Sequence, residues 1–337
     1  MKNRYIYKPV VFLLIFFLLD KIFLLDFFKN DFLQTGNVIY YQHRKMLLER
    51  LLVKKDKEKK LVIAFGDSRA YSFSDLALPE HIKKSWEIYN FAAPQAAPVY
   101  SYFMLEKMIE KGIHPDVIFF VISPEGFDDK KRLIHSPFFR LAADEAFIKK
   151  YWNEFPAEDK NRYVMDKVFA VQGAEFDLQL FVRRLLGGKM EDYEAGFNQD
   201  IMILNLYKGE FLGYTAPFND EKSLDKHASQ LKSIYLNNFS VDETQFRFVE
   251  KLYALAKTNN IKVISIWPKV YPGYKQGFDE LGLQEKWWKR IVAMSSEYGM
   301  LSIDFNKEAK CNIFYDASHQ SVQCIKEQVE ILINGYL

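Results

Sequence analysis

Only two of the 337 residues are cysteine, Cys311 and Cys324. A chain so poor in cysteine is not a disulfide-dense scaffold and must rely on an ordinary core; 49% apolar residues are enough to build one. Net charge is also nearly missing, since 46 basic and 44 acidic side chains leave only +2. That balance lacks the basic footprint of a nucleic-acid binder, and no nucleic-acid partner is expected. Histidine is sparse, and His43, His81, His114, His135 and His227 show no metal-ligand spacing, so neither a metal nor a cofactor is expected. There is no internal repeat and no low-complexity tract.

What the chain does carry begins at its N-terminus. Lys2, Arg4 and Lys8 precede an apolar run at 10–19, which Asp20 and Lys21 interrupt before "IFLLDFF" resumes it. Residues 9–28 have the length of a membrane span. Charges near a span centre cost about 2.5–3.5 kcal/mol each, so Asp20 and Lys21 are expected to find partners within a membrane complex. The segment is too long for a signal peptide, and no A-x-A-like cleavage site follows. An uncleaved anchor over 1–29 is therefore expected. Its N-terminus would be cytoplasmic, on the basic flank, and the rest of the chain extracytoplasmic. In an exported protein two cysteines that close a short loop point to a Cys311–Cys324 disulfide, against the alternative of two buried thiols.

Residues 30–60 read as a linker with a short amphipathic helix carrying Met46, Leu47, Leu51 and Leu52. From 61 onward, strand and helix alternate. Strands are expected at 61–66, 86–92, 116–123, 261–268 and 301–305, with helices at 98–112, 241–260, 280–299 and from about 320. The run at 116–123 is almost wholly apolar, as a central parallel strand covered on both faces should be. This rhythm predicts an α/β fold with a flavodoxin-like, doubly wound parallel sheet over 61–337. It is broken at about 127–240 by a largely helical insertion, expected to cap the site. Ligands of such sheets bind beyond the carboxyl ends of the strands. Gly66 to Ser68, Asn90 to Gln95, Ser123 to Gly126 and Trp267 to Lys269 all fall there.

Ser68 in "FGDSRA" sits where a strand turns into a helix, a place for a nucleophile and equally for an ordinary helix cap. A nucleophilic serine needs a base in reach and a third group to orient that base. His319 in "YDASHQ" lies three residues after Asp316, a spacing that puts a carboxylate beside the imidazole within one tight turn. Either block alone reads as a loop. Together, at the first strand and the last helix, they read as one site.

The two blocks, Gly66-Asp67-Ser68 and Asp316-Ala317-Ser318-His319, resemble the SGNH (GDSL-type) hydrolase superfamily over about 60–125 and 260–335. The resemblance implies Ser68 as nucleophile, His319 as general base and Asp316 as its orienting partner. With an anchor in front, the chain looks like membrane-anchored SGNH-like proteins of envelope-polymer acylation, which work beside a multi-span membrane O-acyltransferase. Two family blocks differ here. "YNFAAPQAAP" has no oxyanion-hole glycine, and Glu125 in "SPEG" stands where the family has an asparagine. A carboxylate cannot donate to an oxyanion, which leaves the Ser68 N–H, the Gln95 amide and the Ser123 hydroxyl as candidate donors. Arg69 is expected either to bind an anionic substrate group or to form a surface ion pair. The implied function is an extracytoplasmic O-acyltransferase that moves an acyl group to an envelope glycan. An esterase of the same mechanism and a catalytically inactive binding subunit are the alternatives.

Overall fold

The computed structural model describes residues 7–25, 36–54, 58–129, 142–173, 208–211 and 220–336, with single positions 138, 182, 186, 187 and 214 between them. In chain order the helices are α1 (Tyr7–Asp20), α2 (Gly36–Lys54), α3 (Pro98–Glu110), α4 (Glu145–Lys150), α5 (Ala157–Val168) and α6 (Ala170–Gly173). They continue with α7 (Glu221–Leu231), α8 (Glu243–Thr258), α9 (Pro272–Glu280), α10 (Lys289–Glu297), α11 (Phe305–Glu308) and α12 (Val322–Tyr336). The strands are β1 (Lys60–Gly66), β2 (Trp86–Asn90), β3 (Val117–Val121), β4 (Lys262–Trp267) and β5 (Leu301–Asp304). The chain divides into two compact units, residues 1–39 with 145–201, and 40–144 with 202–337.

The larger unit is built on one sheet of five parallel strands in the order β2-β1-β3-β4-β5. It is an α/β fold compatible with a flavodoxin-like arrangement, in which the strand order reverses between β1 and β3. Those two strands are buried along almost their whole length, which is why both read as continuous apolar runs rather than alternating ones. On one face Val62, Ala64, Phe119 and Ile264 pack with Val329 and Leu332 of α12. On the other, Phe120 meets Tyr253 of α8 edge-on. Each such side chain taken fully out of water contributes about 1.5–3 kcal/mol.

β1 ends at Gly66 for a steric reason. Its φ is +146°, and a Cβ there would lie 2.2 Å from the Val121 carbonyl oxygen on β3. Only glycine permits this approach and this backbone conformation together. Gly66→Ala is expected to destabilise the protein by at least about 1–3 kcal/mol, the usual cost of forcing an extra methyl group into a packed site. Denaturant unfolding of the variant measures it, and unchanged stability would mean that the two backbones are not this close.

The expected linker contains more structure than a tether. α2 buries Tyr41, His43, Arg44, Leu47, Leu48 and Leu51, while Met46 and Leu52 face out. The Tyr41 hydroxyl donates to the Pro94 carbonyl, and Arg44 Nε donates to the Ala92 carbonyl. The helix thus supports the loop after β2. Burial, with Arg44 beside it, pushes the His43 imidazole down to about 3, so it is neutral. The expected helix at 280–299 is observed as a π-turn at Gln284–Trp288 followed by α10.

In the smaller unit the apolar N-terminal run forms α1 and a 3-10 turn at Lys21–Leu24. No helix among the described residues is long and apolar enough to cross a membrane. The part of the expected 9–28 span beyond residue 25 lies outside the described residues, as do 130–137 and 188–207 of the expected insertion. Asp20 and Lys21 find their partners within this chain. The Asp20 carboxylate accepts from the backbone N–H groups of Ala170 and Val171, and Lys21 Nζ donates to Asp20 and to the Val168 carbonyl.

Candidate active site

The turn after β1 answers whether Ser68 is a cap. Asp67 is the N-cap of the 3-10 turn at Ser68–Ala70, and its carboxylate accepts from the Arg69 N–H at 2.9 Å. With that role filled by its neighbour, the Ser68 hydroxyl is turned elsewhere, to His319 Nε2 at 2.8 Å. The far side of the turn is clasped by the fully buried Asn90 at the end of β2. Its amide donates to the carbonyls of Ala70, Tyr71 and Phe73, and its oxygen accepts from the Ala92 N–H.

His319 is oriented by the carboxylate three residues before it. Nδ1 lies 2.8 and 2.9 Å from the two Asp316 oxygens. A carboxylate only accepts, so Nδ1 carries the proton and Nε2 presents a lone pair to the Ser68 O–H. Asp316 also accepts from the Ser318 N–H, the Ser318 hydroxyl and the His319 N–H. Burial alone would push its carboxyl up, but the hydrogen bond and charge of His319, with the bonds from Ser318, hold it well below the usual carboxylate range.

The loop bearing both groups is fixed at its base. The expected Cys311–Cys324 disulfide is present, with Cα atoms 5.2 Å apart. Phe314 and Gln320 form an antiparallel bridge inside it. The Ser321 N–H donates to the Ile313 carbonyl, and the Ala317 carbonyl accepts from the Tyr271 N–H. His227 Nδ1 accepts from the Ala317 N–H. A disulfide closing a loop of this size removes about 3 kcal/mol of entropy from the unfolded chain.

Arg69 and Ser123 meet in a second, buried network beside the first. Arg69 Nη1 donates to Asp67 (2.8 Å) and to the Ser123 hydroxyl (2.6 Å), and Nη2 donates to Glu125. Glu125 also accepts from the Tyr274 hydroxyl. Arg69 is therefore neither a surface ion pair nor a free anion hook, because two carboxylates inside the fold match its charge. Burial alone would lower the guanidinium, but Glu125 and Asp67 raise it above its ordinary value, so it stays charged. Ser123 donates its own proton to Asp67 at 2.7 Å, which removes it from the set of oxyanion donors.

Gln95 lies in the loop beyond β2, in a turn whose Ala96 N–H donates to the Ala93 carbonyl. With Pro94 second and Gln95 third at φ +55°, the turn places a glutamine where a left-handed residue is required. The Ala93 N–H is taken by the Gly66 carbonyl. Trp267 is core, packed between Phe278, Trp287 and Trp288, and Lys269 Nζ donates to the Ala309 carbonyl.

One neighbour of the base has no signal in the local sequence. Tyr214 lies against the His319 ring with centroids 4.6 Å apart and 30° between planes, and its other neighbours are Tyr315, Tyr71 and Phe211. Burial and the nearby Asp316 charge push its phenol far above the ordinary range, so it is neutral. Among the described residues, no group of three or more His, Cys, Asp or Glu side chains is placed to hold a metal ion.

No curated protein is similar enough to the chain to count as a match. A family model described as a protein of unknown function (DUF1574) matches residues 1–336. That match takes in the apolar N-terminus as well as Ser68, Asp316 and His319, and the chain belongs to this family.

Proposed function

We propose that the chain is a membrane-anchored serine acyltransferase of the SGNH-like kind, moving an acyl group onto a hydroxyl of an envelope glycan. The observation that carries this reading is the 2.8 Å contact from Ser68 Oγ to His319 Nε2, with Nδ1 held by Asp316. In the first half-reaction Ser68 Oγ bonds to the acyl carbonyl carbon while its proton passes to Nε2. The tetrahedral intermediate then expels the donor's alcohol or thiol, which takes that proton. In the second half the acceptor hydroxyl gives its proton to Nε2 and attacks the seryl ester, and Ser68 leaves reprotonated. Hydrolysis by the same site differs only in using water as acceptor.

The oxyanion is assigned to the Ser68 N–H, at the start of a helical turn where the first N–H groups have no partner inside it. The Gln95 amide is the other candidate donor. Losing one such donor typically costs about 10²–10³ in rate. With Glu125 and Ser123 occupied by Arg69 and Asp67, the isolated protein is expected to be slow. A multi-span membrane O-acyltransferase delivering activated acyl groups is the partner this reading calls for. The apolar N-terminus, its basic flank and the disulfide together support an extracytoplasmic catalytic domain.

Intact-mass labelling of the detergent-solubilised full chain with a fluorophosphonate tests the reading. One adduct is expected on the parent protein and none on Ser68→Ala or His319→Ala. A folded parent protein that takes no adduct would remove both the transferase and the esterase and leave a binding subunit.

A further inference from the structure

We propose that α5 is a membrane-interface helix, seated among the headgroups of an anionic phospholipid leaflet at the Asp20 end of α1. This goes beyond the anchored reading above and rests on it. α1 offers no single sticky face that a protein groove would cover. Every residue from Val10 to Leu19 is at least 40% exposed, and all ten are apolar. A helix that is apolar all round and exposed all round fits a bilayer.

The two charges that break the apolar run are spent on holding α5 to it. Lys21 takes the carbonyl of Val168, the last residue of α5, while Asp20 takes the Ala170 and Val171 N–H groups at 2.7 and 2.9 Å. The end of α5 is thereby pinned at the level where the apolar helix ends.

α5 has the surface that such a position requires. Val164, Met165 and Val168 fall on one face and are 46%, 41% and 40% exposed. Arg162 and Lys167 beside them are also exposed. An exposed apolar stripe with basic flanks is the pattern of a helix lying in the interface plane. Of the acidic residues of α5 only Glu158 is exposed, at the start of the helix two turns before Met165. Glu158 and Asp159 are in the first turn, with Asp159 buried, and Asp166 is half-buried.

The same unit carries aromatic rings under cations. Lys160 lies over Trp152, Lys167 over Tyr163, Lys150 over Tyr151, and Lys21 over Phe17. Tryptophan, tyrosine and basic groups together are the chemistry of the headgroup zone, and cations near an anionic leaflet add attraction that salt weakens.

Because both cysteines are in the disulfide, a single introduced cysteine is labelled cleanly. Met165→Cys reports on α5, Phe16→Cys on α1, and Ile234→Cys, exposed in the larger unit, on water. Each full chain carries an NBD dye and is reconstituted into phosphatidylglycerol–phosphatidylcholine vesicles with shallow or deep doxyl quencher lipids. The expected result is deep quenching at 16, shallow quenching with a blue shift at 165, and none at 234. Severalfold weaker quenching at 165 is expected in phosphatidylcholine alone or in Arg162→Glu/Lys167→Glu. A label at 165 as wet as that at 234, with 16 quenched, overturns the interface helix and leaves the anchor standing. Loss of quenching at 16 overturns the anchor and the proposal with it. A blue-shifted label at 165 that no quencher lipid reaches means a second copy covers α5, and this too refutes the proposal. Quenching indifferent to lipid charge refutes the choice of an anionic leaflet.

Discussion

Asp316→Asn is expected to slow phosphonylation of Ser68 by about 10⁴-fold, the loss typical when the orienting carboxylate of such a triad becomes an amide. The reason is one proton. Asp316 now accepts from Nδ1 of His319. An asparagine in the same place turns an N–H toward that nitrogen, so Nδ1 must accept and the ring proton moves to Nε2. Nε2 then faces Ser68 as a donor and cannot take its proton. The remaining bonds survive, since the Asn oxygen can still accept from the Ser318 and His319 N–H groups. The loss is therefore expected in rate with little loss of fold, and far-ultraviolet dichroism beside the labelling rate separates the two. Stability against pH gives an independent reading. The Asp316 carboxyl is depressed in the folded protein, so its contribution is complete above its unfolded value near about 4 and is lost as pH falls toward the folded value. Relative to Asp316→Asn, the parent protein should lose stability only below about pH 4. Equal labelling rates in the two proteins would show that His319 does not act as the base for Ser68.

Ser68, Asp316 and His319 were legible because each signal is local. A strand that ends in Gly-Asp-Ser and a carboxylate three residues before an imidazole are both short patterns, and alternation alone placed the two at the same edge of a parallel sheet. The disulfide was legible for the same reason, because it closes a loop of short span around one of them. What could not be read are pairings across long separations. Arg69 meets Glu125 56 residues away, and Asp20 meets Ala170 150 residues away. Neither pairing leaves a trace in periodicity, so Arg69 reads as either a hook for an anionic substrate group or a surface ion pair, and Asp20 as a charge whose partner lies in a membrane complex. Tyr214 on His319 belongs with them, since aromatic packing against the base carries no spacing rule. Periodicity did place a helix in α2, but it misassigned two of its apolar residues, because Tyr41, His43 and Arg44 also point inward to hold the loop after β2.

The second large effect is expected at Arg69. Replacing it by methionine keeps most of the volume and removes the cation between Asp67 and Glu125, both of which are buried. Breaking one partner out of a buried ion pair costs about 3–5 kcal/mol, because the opposite charge stays behind without compensation. The loss is read as a shift of the denaturant midpoint at constant slope. Arg69→Met/Glu125→Gln should recover part of it, since the Glu125 charge goes together with the cation, while the Asp67 carboxylate keeps the residue-69 N–H and the Ser123 hydroxyl as donors. A single variant within about 0.5 kcal/mol of the parent protein would place Arg69 among surface charges and contradict its burial. The double variant then decides what the network does for the site. Arg69, Asp67 and Ser123 are joined by three hydrogen bonds, and Asp67 also caps the turn that presents Ser68. A double variant that is stable but labels slowly would mean that the buried charges hold the nucleophile turn in register. One that is stable and labels at the parent rate would leave them a purely structural part, with Asn90 and the Asp67 cap sufficient to aim the serine.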